Sequence, residues 1–176
     1  MSLSKLHCVI DCSGSMAEYG KPMLLVNLLR YIRQFTTQNG QSARYFSWQE
    51  AIAEINWPAE ADVELPTLVG SSDVAALCNW AEESSEVVLL VLTDGYFKLG
   101  AEQLHQLSQL DNLYLLGVGG DADLVQLNIL SNRSYRAEQL DHVLHIVFRS
   151  EAAAVGPSRR VELAGVVAES ALDDEW

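Results

Sequence analysis

The chain has 176 residues, 49% of them hydrophobic and 20% charged, which suits one compact domain and excludes a disordered or fibrous polymer. Eleven Lys and Arg against 24 Asp and Glu leave a net charge of −13, which argues against a nucleic-acid surface and favours basic or cationic partners. Cys8, Cys12 and Cys78 are odd in number and lack metal-type spacing, so no disulfide framework is expected; Cys8 and Cys78 read as small buried residues. The opening "MSLSKLHCVIDCSGSM" meets an aspartate before an apolar core of leader type can form. The longest apolar run, "VVLLVL" at 87–92, is too short to span a bilayer, so a cytoplasmic protein without a membrane segment is expected.

Residues 6–10, "LHCVI", read as a buried strand. Residues 21–35 carry helical apolar spacing through Leu24, Leu25, Leu28, Leu29 and Ile32, with Pro22 tolerated near the start and Gly40 as a stop signal. "ARYFSW" (43–48) and "AIAEIN" (51–56) suggest two strands, as in a hairpin, with a helix as the alternative for the second. A Pro-containing connection over 57–72 ends in small hydroxylated residues, and 73–83 reads as a helix with Val74, Leu77 and Cys78 inward. "EVVLLVLT" (86–93) is nearly continuous in apolar residues, as a central strand covered on both faces would be. Then follow a helix over 100–110, a strand over 112–118, the loop "GGDAD", a short helix near 122–130, a short strand over 133–137 and a helix over 138–149. Alternation of this kind predicts an α/β fold: a doubly wound, mostly parallel, Rossmann-like central sheet with helices on both faces. Such sheets bind ligands beyond the carboxyl ends of their strands, where strand order reverses.

Three polar segments interrupt this pattern: "DCSGS", "GSSD" and "TDG". They offer Asp11, Ser13, Ser15, Ser72 and Asp94, all oxygen donors and none a nitrogen or thiolate. If the strands of 6–10 and 86–93 are neighbours, their ends lie about 5 Å apart and Asp11 faces Asp94. Two carboxylates that close repel, unless one holds a proton or a cation sits between them. A hard divalent ion such as Mg²⁺, with octahedral oxygen ligation at about 2.0–2.1 Å, meets the need. Alternation in D-x-S-x-S sends three side chains to one side, and Gly14 is expected to let the backbone turn around the ion.

On these residues the chain resembles the von Willebrand factor type A (VWA) domain with its metal-ion-dependent adhesion site (MIDAS), of the bacterial stand-alone type. "DCSGSM" matches the family's D-x-S-x-S, "GSSDVAAL" (70–77) looks like its G-G-T-D-x-x-x-A-L segment, and "LTDG" (92–95) matches its strand-ending aspartate. Ser72 stands where a threonine is usual, and Ser71 is an alternative donor. The resemblance implies that Ser13, Ser15 and Ser72 touch a divalent ion (Mg²⁺, or Mn²⁺ or Ca²⁺) directly. Asp11 and Asp94 would ligate directly or through water. An open coordination position would then take an Asp or Glu of a protein partner. The implied activity is recognition, not bond breaking. The implied partners are a MoxR-type AAA+ ATPase or a kinase–phosphatase pair.

Rival readings accompany each piece. Ser13 or Ser15 can cap a following helix, and Ser72 or Asp73 can cap the helix that starts there. An enzyme alternative is a Mg²⁺-dependent haloacid-dehalogenase-like phosphatase with Asp11 as nucleophile, although position 13 is a serine, which cannot act as general acid. A further alternative is a VWA scaffold with an idle site. His142 and His145 read as a solvated or core-edge pair rather than as ligands. Tyr19, Tyr96 and Phe97 flank the motif loops, either as a rim for a partner or folded over the core. Residues 1–150 form the expected domain. The tail over 151–176 reads as an interaction segment that docks on its own domain or on a second copy, with Asp173, Asp174 or Glu175 as a conceivable metal ligand.

Overall fold

The computed structural model describes the backbone of residues 6–154 and the side chains of residues 6–149. The tail beyond Ala154, with Asp173, Asp174 and Glu175, lies outside the described residues. Strand β1 (Leu6–Asp11) leads through a 3-10 turn (Gly14–Ala17) into helix α1 (Lys21–Gln38). Strands β2 (Ala43–Trp48) and β3 (Ile52–Ile55) form the hairpin, and helix α2 (Val74–Glu83) follows the long connection. The rest alternates as β4 (Val88–Thr93), α3 (Ala101–Ser108), β5 (Leu113–Gly117), α4 (Leu124–Leu130), β6 (Ser134–Arg136) and α5 (Leu140–Ala154). The last helix begins after a 3-10 turn over Ala137–Gln139 and runs beyond Arg149.

The sheet order is β3-β2-β1-β4-β5-β6, with every pairing parallel except that of β2 with β3. β1 therefore lies between the strand that the chain reaches next and the strand to which it later returns. That is the reversal point, and the carboxyl ends of β1 and β4 flank it.

Alternate residues of the central strands feed two separate cores. Cys8, Ile10, Leu90 and Leu92 pack with Leu25, Leu29 and Ile32 of α1 and with Leu140, Val143 and Leu144 of α5. Val9, Leu89 and Val91 pack with Leu77 of α2, Leu107 of α3 and Leu127 of α4. Each fully buried Leu, Ile or Val contributes about 1.5–3 kcal/mol, which explains why strands without a polar face are stable here. Cys8, Cys12 and Cys78 are free thiols within these cores. Among the described residues no helix is long and apolar enough to cross a membrane.

Candidate metal centre

Asp11 closes β1 opposite Trp48 of β2, and it is fully buried. Its Oδ1 accepts the Ser13 backbone N–H at 3.0 Å and the Ser72 hydroxyl at 2.6 Å, and its Oδ2 accepts the Thr93 hydroxyl at 2.6 Å. These are hydrogen bonds from neutral donors to a charged acceptor, worth about 1.5–3 kcal/mol each. They hold the carboxylate in one orientation and leave its negative charge in place.

The helix-cap readings of the serines do not hold. Ser13 precedes the 3-10 turn yet makes no side-chain cap bond; its Oγ lies 3.2 Å from the Oγ of Ser15 instead. Ser72 does not cap α2 either, because Asp73 takes that position and accepts the Ala75 N–H at 2.9 Å. Ser71, the alternative donor, is exposed on the rim of a neighbouring cleft, whereas Ser72 is buried against Asp11. The hydroxyls of Ser13, Ser15 and Ser72 are thus free of helix-capping duty.

The loop carrying Ser72 is stitched to the end of β1. Gly14 N–H donates to Gly70 O at 2.9 Å, and Val69 N–H donates to Cys12 O at 3.0 Å. The Gln49 side-chain amide donates to Cys12 O, Thr67 O and Val69 O. Gly14 opens the 3-10 turn without entering the left-handed region. A Cβ on it would stand 3.5 Å from Gly70 O, in ordinary contact with the incoming loop.

Asp94, just past β4, is equally buried but differently satisfied. Its Oδ1 accepts Tyr96 N–H at 3.1 Å, and its Oδ2 accepts the ammonium of Lys21 at 2.9 Å. Lys21 opens α1 and is 1% exposed. Its Nζ also donates to Asp121 Oδ2 at 2.8 Å and to Ser15 O at 3.2 Å. The aliphatic stem rests on Gly119 (φ +97°), where a Cβ would come within 2.8 Å of Lys21 Cε. The rings of Tyr19 and Tyr96 lie 5.8 and 5.7 Å from the ammonium, within cation–π range. Burial alone would lower the lysine's pKa, but the hydrogen bonds and charges of Asp121 and Asp94 outweigh it and hold it above the ordinary value. The Lys21 hydrogen bond in turn holds the Asp121 carboxyl below the usual carboxylate range.

Lys21, Asp121 and Thr93 were not among the candidates read from the sequence. One signal was available for the lysine: position 21 falls on the apolar stripe of Leu25, Leu28 and Ile32, at the helix end where a cation opposes the macrodipole. A lysine so placed requires a carboxylate partner. The loop "GGDAD" supplies one, since it ends β5 as "TDG" ends β4.

Asp11, Ser13, Ser15 and Ser72 therefore come together directly, and Asp94 joins them through Thr93 on one side and Lys21 on the other. In an octahedron with ligands at about 2.0–2.1 Å, adjacent donors lie about 2.9 Å apart. The 3.2 Å between the Ser13 and Ser15 hydroxyls and the 2.6 Å between Ser72 Oγ and Asp11 Oδ1 bracket that edge. The donor set fits a small hard cation. Among the described residues no three His, Cys, Asp or Glu side chains cluster as a metal site, so the fit depends on hydroxyls. His142 and His145 are both exposed, His145 beside Asp141 and Phe35 and His142 near Tyr135, as the solvated reading has it. Of the aromatic trio, Tyr19 and Tyr96 are exposed, while Phe97 packs on Trp48. Beside Ser72 a cleft of about 830 Å³ opens between the start of α2 and the loop over 95–100, with Tyr96, Phe97 and Lys98 on its wall.

No protein-family model and no curated protein matches the sequence. Solved structures do. The chain is similar to the proximal thread matrix protein 1 of the mussel byssus with a zinc-occupied MIDAS motif, at 14% identity and TM-score 0.57, over 82% of this chain and 46% of that one. It is similar to the manganese-loaded TRAP protein of Plasmodium vivax at 14% identity and TM-score 0.59, over 80% of this chain and 70% of that one. It is also similar to a von Willebrand factor type A protein of Catenulispora acidiphila at 15% identity and TM-score 0.54, over 84% of this chain and 41% of that one. The chain thus spans less than half the length of the mussel protein it matches.

Proposed function

We propose that this chain, whose fold is that of a von Willebrand factor type A domain, is a recognition module that binds an acidic residue of a partner protein through a divalent cation. The observation that carries the reading is that a buried Asp11 accepts the Ser72 hydroxyl and the Ser13 N–H, with the Ser13 and Ser15 hydroxyls 3.2 Å apart beside it and none of the three hydroxyls used as a helix cap. Ser13, Ser15 and Ser72 would hold the ion, with Asp11 and Asp94 supplying the charge. A bound divalent ion supplies a Lewis-acidic position that attracts an outside carboxylate. The chain's own part is to orient donors: Thr93 and the Ser13 N–H fix Asp11, and the Gln49 latch keeps Ser72 beside it. Zinc in the MIDAS of the mussel protein and manganese in the Plasmodium protein support a divalent ion, for which Mg²⁺ is the cytoplasmic choice. Tyr19 and Tyr96 offer exposed aromatic surface beside the site for the partner. In a bacterial cytoplasm that partner would be a MoxR-type AAA+ ATPase or a member of a kinase–phosphatase pair.

Binding is favoured over phosphoryl transfer because position 13, where a phosphatase of that type needs a second acid, is Ser13. The scaffold reading, with an idle metal site, draws support from the ammonium already seated on Asp94.

Thermal unfolding with Mg²⁺, Mn²⁺ or EDTA, paired with pull-downs from extract, tests the proposal. Wild type should gain several degrees with the metal and retain a partner that EDTA releases, and Asp11→Ala should lose both effects. A melting temperature indifferent to all three additions would remove the metal reading.

A further inference from the structure

We propose that Lys21 is a tethered cation that competes with the divalent ion for Asp94, so that the site is set to weak metal affinity by a residue of its own chain. The inference rests on the metal reading above and adds the residue that governs it.

Four observations carry it. The ammonium donates to Asp94 Oδ2, Asp121 Oδ2 and Ser15 O, which accounts for all three of its N–H groups. It is thus a complete cation site with the protein's own cation in it. Ser15 belongs to both arrangements, because its carbonyl receives Lys21 while its hydroxyl meets Ser13. The position is built and not incidental: the stem lies where a Cβ on Gly119 would collide with it, and the residue is 1% exposed. Finally, the Tyr96 hydroxyl donates to Asp121 O at 2.6 Å, which holds the loop over 119–123 against the lysine.

Asp94 can place its Oδ2 toward one cation at a time without sharing its charge. A divalent ion that engages this oxygen must draw the ammonium off it or accept a repelling positive charge a few ångströms away. Either cost appears as lost metal affinity. Two unlike charges at such range, even strongly screened, change an equilibrium by about tenfold or more.

Manganese is a convenient probe because the electron paramagnetic resonance signal of the free aqua ion reports what is unbound. Titrations of wild type, Lys21→Met and Lys21→Gln should show the two variants binding Mn²⁺ at least about tenfold more tightly, with circular dichroism confirming that they fold. A folded variant with equal or weaker affinity overturns the inference while leaving the metal reading intact. A variant that binds where wild type does not supports it in its strongest form. Uptake by none of the three overturns the metal reading and this inference with it. Should both variants fail to fold, wild type alone decides. The chain has only three lysines, Lys5, Lys21 and Lys98, so ammonium resonances in a sample with ¹⁵N-labelled lysine are few. The protected resonance should move or collapse when Mg²⁺ is added, and one that is unmoved at saturating Mg²⁺ overturns the proposal.

Discussion

Asp11 and Asp94 end neighbouring strands, are both fully buried, and have their carboxyl oxygens satisfied by opposite means. Asp11 is solvated by hydroxyls and one peptide N–H, which stabilise its charge without cancelling it. Asp94 is met by an ammonium, which stabilises its charge by cancelling it. The first arrangement leaves a field for an added cation to use; the second has largely used that field already. Burial tells only that a carboxylate must be compensated, and the kind of compensation decides what else can bind.

The contrast can be broken most easily at Lys21. With EDTA present, Lys21→Met should lower the urea-unfolding free energy by about 3–5 kcal/mol, the usual penalty for leaving a buried charge alone. A loss below about 1 kcal/mol would mean that Asp94 is solvated by something other than the lysine. On the other side, Thr93→Val deprives Asp11 Oδ2 of its hydrogen bond and should cost about 1–3 kcal/mol in the same measurement. Equal costs for the two variants would erase the distinction between neutral and charged compensation.

His7 sharpens the comparison from the same strand, as a buried polar side chain whose Nδ1 has no hydrogen-bond partner and whose ring packs on Phe46 and Trp80. Burial, and then the charge of Arg44, push its pKa below the ordinary 6.5. The fold therefore favours the neutral ring, and this contribution is fully present above pH 6.5. As the pH falls below that value the unfolded chain takes up a proton that the fold resists, and stability is lost. The melting temperature of wild type should drop more steeply from pH 7 to 5 than that of His7→Phe, and parallel profiles would show that the ring has no such role.

Much of the fold was legible because its strands are apolar on both faces and its helices on one. Residues 86–93 read as a central strand from their nearly continuous apolar run, and the pairing of β1 with β4, which entered only as a condition, is what the sheet has. The five candidate donors were legible as three motifs in order, and four of them meet by direct hydrogen bonds or close hydroxyl contact. Lys21 was not legible in the same way, since helical periodicity was read from the apolar residues and the charged member of the stripe was passed over. Asp121 was hidden for a related reason: a loop read as a connection between elements supplies the counter-charge for a residue 100 positions earlier. Of the two cap candidates for α2, Asp73 holds the position and Ser72, one residue earlier, is left free.

The bonds that make the site join residues far apart in the chain: 61 positions for Ser72 to Asp11, 73 for Lys21 to Asp94, 82 for Thr93 to Asp11 and 100 for Lys21 to Asp121. No fragment that stops short of Asp121, in the loop after β5, contains all of these bonds. A cation that binds here therefore binds the finished domain and nothing less, and by mass action it draws the whole folding equilibrium toward completion. Occupancy and foldedness become one variable. A partner that recognised the ion would, on the proposed reading, also sense whether these distant segments have come together.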